Sequence, residues 1–319
     1  MDLKKEIENF TKTHPTVRKS LMFLRKFTLP GFDGIPVFIV IKFIASELQK
    51  DLIPTRARSI AYSFFIAFFP GMIFLLTLLP YIPLDGVQAQ FFSIINEFVP
   101  DKVVNSFILT TVDDVINQPR EGLLSFGALL TLYFATQGVV SMIMSFNKTY
   151  SIYTVRNFFT LRWVALKLTI LLLFLFLISI ILLIAGEGLI NLFLNFVAVK
   201  SFWVNISLNA LRYLIILILF FMSISTIYYY GPSVKKKWKF ITPGSTLATL
   251  GSIIASLIFS NYINGFDKYN TIYGIFGSII LFLGWLYVNA FVLLIGFELN
   301  AAIYYQSNIL QENEDESIA

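Results

Sequence analysis

Uninterrupted apolar blocks of about twenty residues recur along the chain between short polar connections, the length an α-helix needs to cross bilayer hydrocarbon. The blocks predict six spans, at Ser59–Ile82, Gly122–Phe146, Trp163–Ile184, Leu211–Tyr230, Ser245–Ile263 and Ile275–Ala302, the third able to run on toward Phe196. A membrane β-barrel would instead alternate polarity within short strands. The expected fold class is therefore an all-α polytopic membrane protein with six transmembrane helices. Residues 1–58 read as a basic region, 59–304 as the transmembrane domain, and 305–319 as a disordered acidic tail.

Two regions outside the spans are amphipathic. Before the first span, Phe38, Ile41, Ile44 and Leu48 recur at helical spacing opposite Lys42, Glu47 and Lys50, predicting a helix that lies along the interface. In the connection 83–121, VQAQFFSIINEFVP and KVVNSFILTTVDDVIN flank Pro100 and predict two short amphipathic helices, either a structural cap or a moving lid. The N-terminal segment has no short apolar core followed by a small-residue cleavage site, so no cleavable signal peptide is expected.

Composition agrees with the pattern. The chain is 57% hydrophobic and only 13% charged, against roughly 25% charged in an average soluble domain. Charge then orients it. With the N-terminus in the cytoplasm, 19 of the 24 Lys and Arg fall on that side, leaving Lys102, Arg120, Lys200, Arg212 and Lys268 opposite. Both termini are thus expected to be cytoplasmic. The net charge of +5 reads as loops held against anionic headgroups, so membrane lipids and not nucleic acid are the expected partners. The lack of cysteine excludes disulfides and thiolate metal sites.

Among candidate functional residues, Glu298 stands out because it interrupts the apolar run WLYVNAFVLLIGFELNA. A carboxylate there needs a partner or access to water. It lies roughly 18 Å from the centre of its span, at the cytoplasmic boundary. Arg56, Arg58, Arg156, Arg162 and Lys167 are the cations available at that depth. Glu298 is expected to lock the inner helix ends through an ion pair, to act as a gate that titrates or changes partner, or simply to be solvated at the boundary.

Pro70-Gly71 predicts a kink halfway along the first span. Tyr133, Gln137 and Ser141 follow at i, i+4, i+8 in the second and are expected to face the bundle interior, as interhelical glue or as a polar path. Ala248, Ser252, Ser256 and Ser260 form a small-residue packing stripe in the fifth. On the outer side, NYINGFDKYNTIYG interleaves aromatic rings with polar groups. Asp267 and Lys268, with Arg120 and Arg212, are candidate contacts for a polar headgroup.

Enzyme chemistry finds little support. The chain has one histidine, His14, and no clustered His, Asp or Glu at ligand spacing. Asp113-Asp114 falls on the outer side. There is no phosphate-binding loop either. No metal, cofactor or catalytic residue is expected.

The stretches RARSIAYSFFIAFFPGMIFLLTLLPYIP, FNKTY with Arg156 and Arg162 after it, YYYGPSVKKKWKFITPGSTLATL, and the final block ending GWLYVNAFVLLIGFELNA occur in one order. In that order they resemble the YihY/virulence factor BrkB-like family of bacterial inner-membrane proteins, over roughly Leu52 to Ala302. Phe297 stands where that family commonly has alanine. The resemblance implies a multi-pass protein of the bacterial cytoplasmic membrane, in a family whose members are often called transporters and some of which are linked to export of lipid or envelope precursors. The family also carries an older ribonuclease label, which the residue inventory does not support. A flippase-like carrier and a non-transporting scaffold for envelope proteins both remain open.

Overall fold

The computed structural model describes residues 28, 31–32, 34–49, 52–78, 121–147, 156–196, 202–234, 238–264 and 267–318, a few side chains within these ranges excepted. Every element among them is a helix. α1 is Val37–Gln49, α2 Leu52–Leu78, α3 Glu121–Phe146, α4 Phe158–Phe196, α5 Phe202–Tyr230, α6 Pro243–Asn264 and α7 Asp267–Ile318. The last six are each long and apolar enough to span a membrane.

Several boundaries differ from those expected. α2 begins at Leu52 and so takes in Arg56 and Arg58. Long cationic side chains can lie in a first helical turn while their heads reach polar surroundings, so a charge-based boundary falls too late. α5 begins nine residues earlier than Leu211, at Phe202. Arg212 therefore stands inside the span and not at its mouth. α4 runs to Phe196, as the sequence allowed. α7 begins at Asp267 and continues to Ile318, through the segment expected to be a disordered tail. Extending an existing helix avoids the nucleation cost, and Gln and Glu are good helix formers.

Residues 83–120 of the connection between the first two spans, with its expected amphipathic pair and Arg120, lie outside the described residues. The aromatic segment 261–274 spans the end of α6 and the start of α7.

The chain divides into two compact units, Met1–Arg58 with Tyr150–Ile152 and Val234–Ala319, and Ser59–Thr149 with Tyr153–Ser233. In the first, α6 and α7 pack along each other and α1 packs on α7. Phe32, Ile35 and Val40 meet Leu299, Ala302 and Ile303, with Val37 and Ile44 at the edge. The buried side of α1 is thus Val37, Val40 and Ile44, while Ile41 is 52% exposed. The expected apolar stripe was about a hundred degrees out of phase at Ile41, because contact with α7 selects the face.

The small-residue stripe of α6 is buried at Ala248 and Ser252. A Cβ on Gly251 would stand 2.8 Å from Val292 Cγ1, and Trp285 Nε1 donates to Ser256 Oγ at 3.0 Å. Ser260 is exposed.

In the second unit, α4 packs against both α3 and α5. Val139, Val140 and Ile143 of α3 form a core with Ala165 and Leu168 of α4. α2 remains helical through Pro70, so the expected kink does not break it. Proline still removes one backbone donor there. Several hydroxyls within the spans fold back on their own helix, as in Thr131 Oγ1 to Gly127 O at 2.7 Å, which satisfies them without water.

Candidate functional site

Eight consecutive residues of α7, Gly296 to Ile303, are buried. Two full turns hidden on all sides mean that this stretch is surrounded and does not merely lie on a neighbour. The surroundings come from separate parts of the first unit. Phe297, fully buried, meets the Trp238 ring at 5.3 Å between centroids. Leu299, Ala302 and Ile303 take the α1 side. Asn300 faces the start of α6, and Glu298 faces the start of α2.

Glu298 accepts a hydrogen bond from Arg56 Nη2 on Oε1 at 2.6 Å, with the Glu298 side chain 0% and the Arg56 side chain 13% exposed. Arg56 can reach it because Ile53, Arg56, Ala57 and Ile60 follow at i, i+3, i+4, i+7 and share one helix face. The three apolar members of that face are fully buried. The charge-assisted contact leaves neither charge without a partner.

Beside it lies a second polar cluster. Thr242 precedes α6, and Ser245 N donates to Thr242 Oγ1 at 3.1 Å while Thr242 N donates to Ser245 Oγ at 3.1 Å. This reciprocal cap, with Pro243 at the first helical position, fixes where α6 starts. Asn300 then joins it to α7, accepting from Gly244 N at 2.8 Å and donating to Thr242 Oγ1 at 2.9 Å. Gly244 is required here, because a Cβ would collide with Gly296 O and stand 2.5 Å from Asn300 Oδ1. The Thr-Pro-Gly-Ser and Gly-Phe-Glu-Leu-Asn segments are therefore two halves of one joint.

A third cluster sits in the other unit, and the sequence did not reveal its arrangement. Arg156 donates to the carbonyls of Tyr230, Gly231 and Pro232 at 3.3, 2.6 and 3.1 Å. It thereby caps the C-terminus of α5, where unpaired carbonyls and the negative end of the helix dipole both favour a cation. Partial burial lowers the Arg156 pKa from its ordinary value by desolvation. Asn147 Oδ1 accepts from Ser233 N at 3.0 Å, and Phe146 meets Tyr228 edge-on at 5.8 Å. The signal that could have found this cluster is the Tyr-Gly-Pro end of the fourth span, which strands carbonyls that need a donor.

The remaining candidates separate. Arg58 is exposed and bonds within its own helix, to Thr55 Oγ1 at 3.2 Å and Pro54 O at 3.3 Å. Arg162 lies over the Phe158 ring at 5.1 Å. Lys167 is exposed. Arg56 is thus the one of the five proposed cations that meets Glu298.

Tyr133 does not face the interior with Gln137 and Ser141, because it is 58% exposed. The buried face of α3 runs through Gly127 and Thr131, and two residues further on is about 200° around the helix. Ser141 does face a neighbour, with its Oγ 3.0 Å from Ser59 Oγ. Gln137 is half-buried. Gly71, next to Pro70, allows ordinary contact with Thr131, 3.9 Å from where a Cβ would stand. Asp267 and Lys268 open α7, but their side chains lie outside the described residues. Arg212 lies against Gly186 of α4. Among the described residues, no three His, Cys, Asp or Glu come together as a metal site.

A model of the family described as virulence factor BrkB matches residues 44–318, which take in all three clusters. The chain belongs to that family. The ribonuclease-like protein YfkH of Bacillus subtilis is 30% identical over 263 residues, covering 81% of this chain and 93% of that one. A UPF0761 membrane protein of Chromohalobacter salexigens is 29% identical across 77% of this chain and 58% of its own length. Another UPF0761 membrane protein, from Coxiella burnetii, is 26% identical across 80% and 89%. No solved structure matches. With six apolar helices, the chain is a multi-pass membrane protein of the BrkB family.

Proposed function

We propose that this family member is a flippase-like carrier of a lipid or envelope-related amphiphile, placed in the bacterial cytoplasmic membrane with both termini inside. It is not an enzyme and is not driven by ATP bound to this chain. The observation that carries the reading is the Arg56–Glu298 pair, because both residues lie within apolar spans, with Glu298 fully buried and Arg56 mostly so. Ionisable groups at such positions are costly and mark substrate or ion paths. Pro70, which removes a backbone donor inside α2, supports the same reading.

The test is reconstitution of the full chain in vesicles carrying a fluorescent phospholipid analogue. Translocation above that of protein-free vesicles, slowed by Glu298→Gln, is expected. Equal rates with and without protein would remove the carrier reading. The all-round burial of Gly296 to Ile303 favours a second reading, a rigid scaffold, for which the same substitution changes stability and no transport is seen.

A further inference from the structure

Arg212 stands ten residues into α5, roughly 15 Å from its first residue. Its guanidinium lies over the Tyr213 ring at 4.7 Å, and Nη2 donates to Tyr213 Oη at 2.9 Å. Nε and Nη1 are buried, and among the described residues they have no hydrogen-bond partner. Free cationic donors inside an apolar span are expensive unless an anion meets them. The side chain is laid across α4 at Gly186, where a Cβ would collide with Arg212 Cδ.

Around it, α4 and α5 leave a groove of about 300 Å³, lined by Leu182 and Ile190 on one helix and Leu208, Leu211 and Ile215 on the other. Arg212 is its charged lining residue. Leu211 is 51% and Ile215 38% exposed, so the groove opens on the face of the spans that meets lipid. Arginine on α5 also leans toward the helix N-terminus, which is the membrane surface nearest to it.

We propose that this groove binds an anionic amphiphile, its hydrocarbon chain along the apolar wall and its phosphate or carboxylate on the guanidinium donors of Arg212, whose buried Nε and Nη1 are uncovered by a rotation of the side chain toward the groove. Two observations point to the same ligand. The unpaired donors call for an anion, and the wall calls for a chain. A free inorganic anion would use the first and leave the second unexplained. For transport of that ligand the proposal rests on the carrier reading, but the binding is tested without any transport. Glu187, beside Gly186, is the alternative anion to exclude, since its side chain lies outside the described residues.

The experiment is equilibrium binding of labelled phosphatidylglycerol and phosphatidylcholine to the purified full chain in mixed micelles, with inorganic phosphate as competitor. Wild type should prefer phosphatidylglycerol roughly tenfold. Arg212→Gln should abolish the preference, and Glu187→Gln should keep or increase it. Ile215→Trp, which fills the groove and retains the cation, should also weaken binding and serves if Arg212→Gln fails to fold. The proposal is overturned if the preference survives either Arg212→Gln or Ile215→Trp. It is also overturned if millimolar phosphate displaces the lipid, or if a preference arises only in Glu187→Gln, which would make Arg212 an internal partner. A retained preference without translocation in vesicles refutes the carrier reading alone.

Discussion

Removing the Arg56–Glu298 pair one charge at a time should give unequal losses. Glu298 is 0% exposed and Arg56 13% exposed, so the carboxylate left by Arg56→Gln is the more poorly hydrated remnant. Breaking a buried pair from one side costs about 3–5 kcal/mol. Arg56→Gln belongs near the top of that range. Glu298→Gln belongs near the bottom, because the amide oxygen still accepts from Nη2 and the cation keeps some contact with water. The double substitution leaves two neutral amides that can bond each other, and should recover to within about 1 kcal/mol of the wild type.

The coupling term of the double-mutant cycle is therefore expected to exceed about 2 kcal/mol. Unfolding of the purified protein by increasing detergent denaturant, followed through tryptophan fluorescence, measures all four variants under one condition. Arg58→Gln is the internal control, since its exposed bonds within its own helix predict a change within about 0.5 kcal/mol. Additive single effects would mean that the pair is not coupled. A larger loss from Glu298→Gln than from Arg56→Gln would refute the burial argument behind the ordering.

Three further outcomes are expected. Arg156→Ala removes three carbonyl contacts at the end of α5 and should cost about 2 kcal/mol, with Arg156→Lys restoring part of it in the same unfolding assay. Gly244→Ala, whose Cβ would strike Gly296 O, should cost about 3 kcal/mol, whereas Gly122→Ala, with open space around it, should be neutral or slightly stabilising. Because the chain has no cysteine, a single cysteine placed in the N-terminal region or after Ala302 should react with a membrane-impermeant maleimide only after cells are opened; labelling of intact cells would reverse the orientation.

The spans were readable because about twenty apolar residues in a row leave an α-helix as the only way to satisfy the backbone in lipid. Their ends were harder. Arg56 and Arg58 pulled the expected start of the first span inward, since charge marks a polar head and not the Cα beneath it. The partner of Glu298 was legible only as a set. Helical phase could have narrowed it, because Arg56 shares a face with Ile53, Ala57 and Ile60, whereas Arg58 is about 200° away from Arg56. The Asn300–Thr242 joint could not be read, since it depends on two segments far apart in sequence meeting at Gly244. Tyr133 misled because spacing places residues on a common face without saying which face is buried.

α7 has 52 residues and therefore measures roughly 78 Å, against about 30 Å of bilayer hydrocarbon. From Glu298 to Ile318 it extends roughly 30 Å, so a tilt of about 10° around the buried joint would swing its tip by about 5 Å. Tilted in this way, the helix would act as a pointer with the Arg56–Glu298 contact as its pivot. Its acidic last turns, Glu312 to Glu316, would be repelled by an anionic leaflet and held off it. A distance label beyond Ala302 would thus magnify rearrangements at the ion pair that are too small to follow at the pair itself.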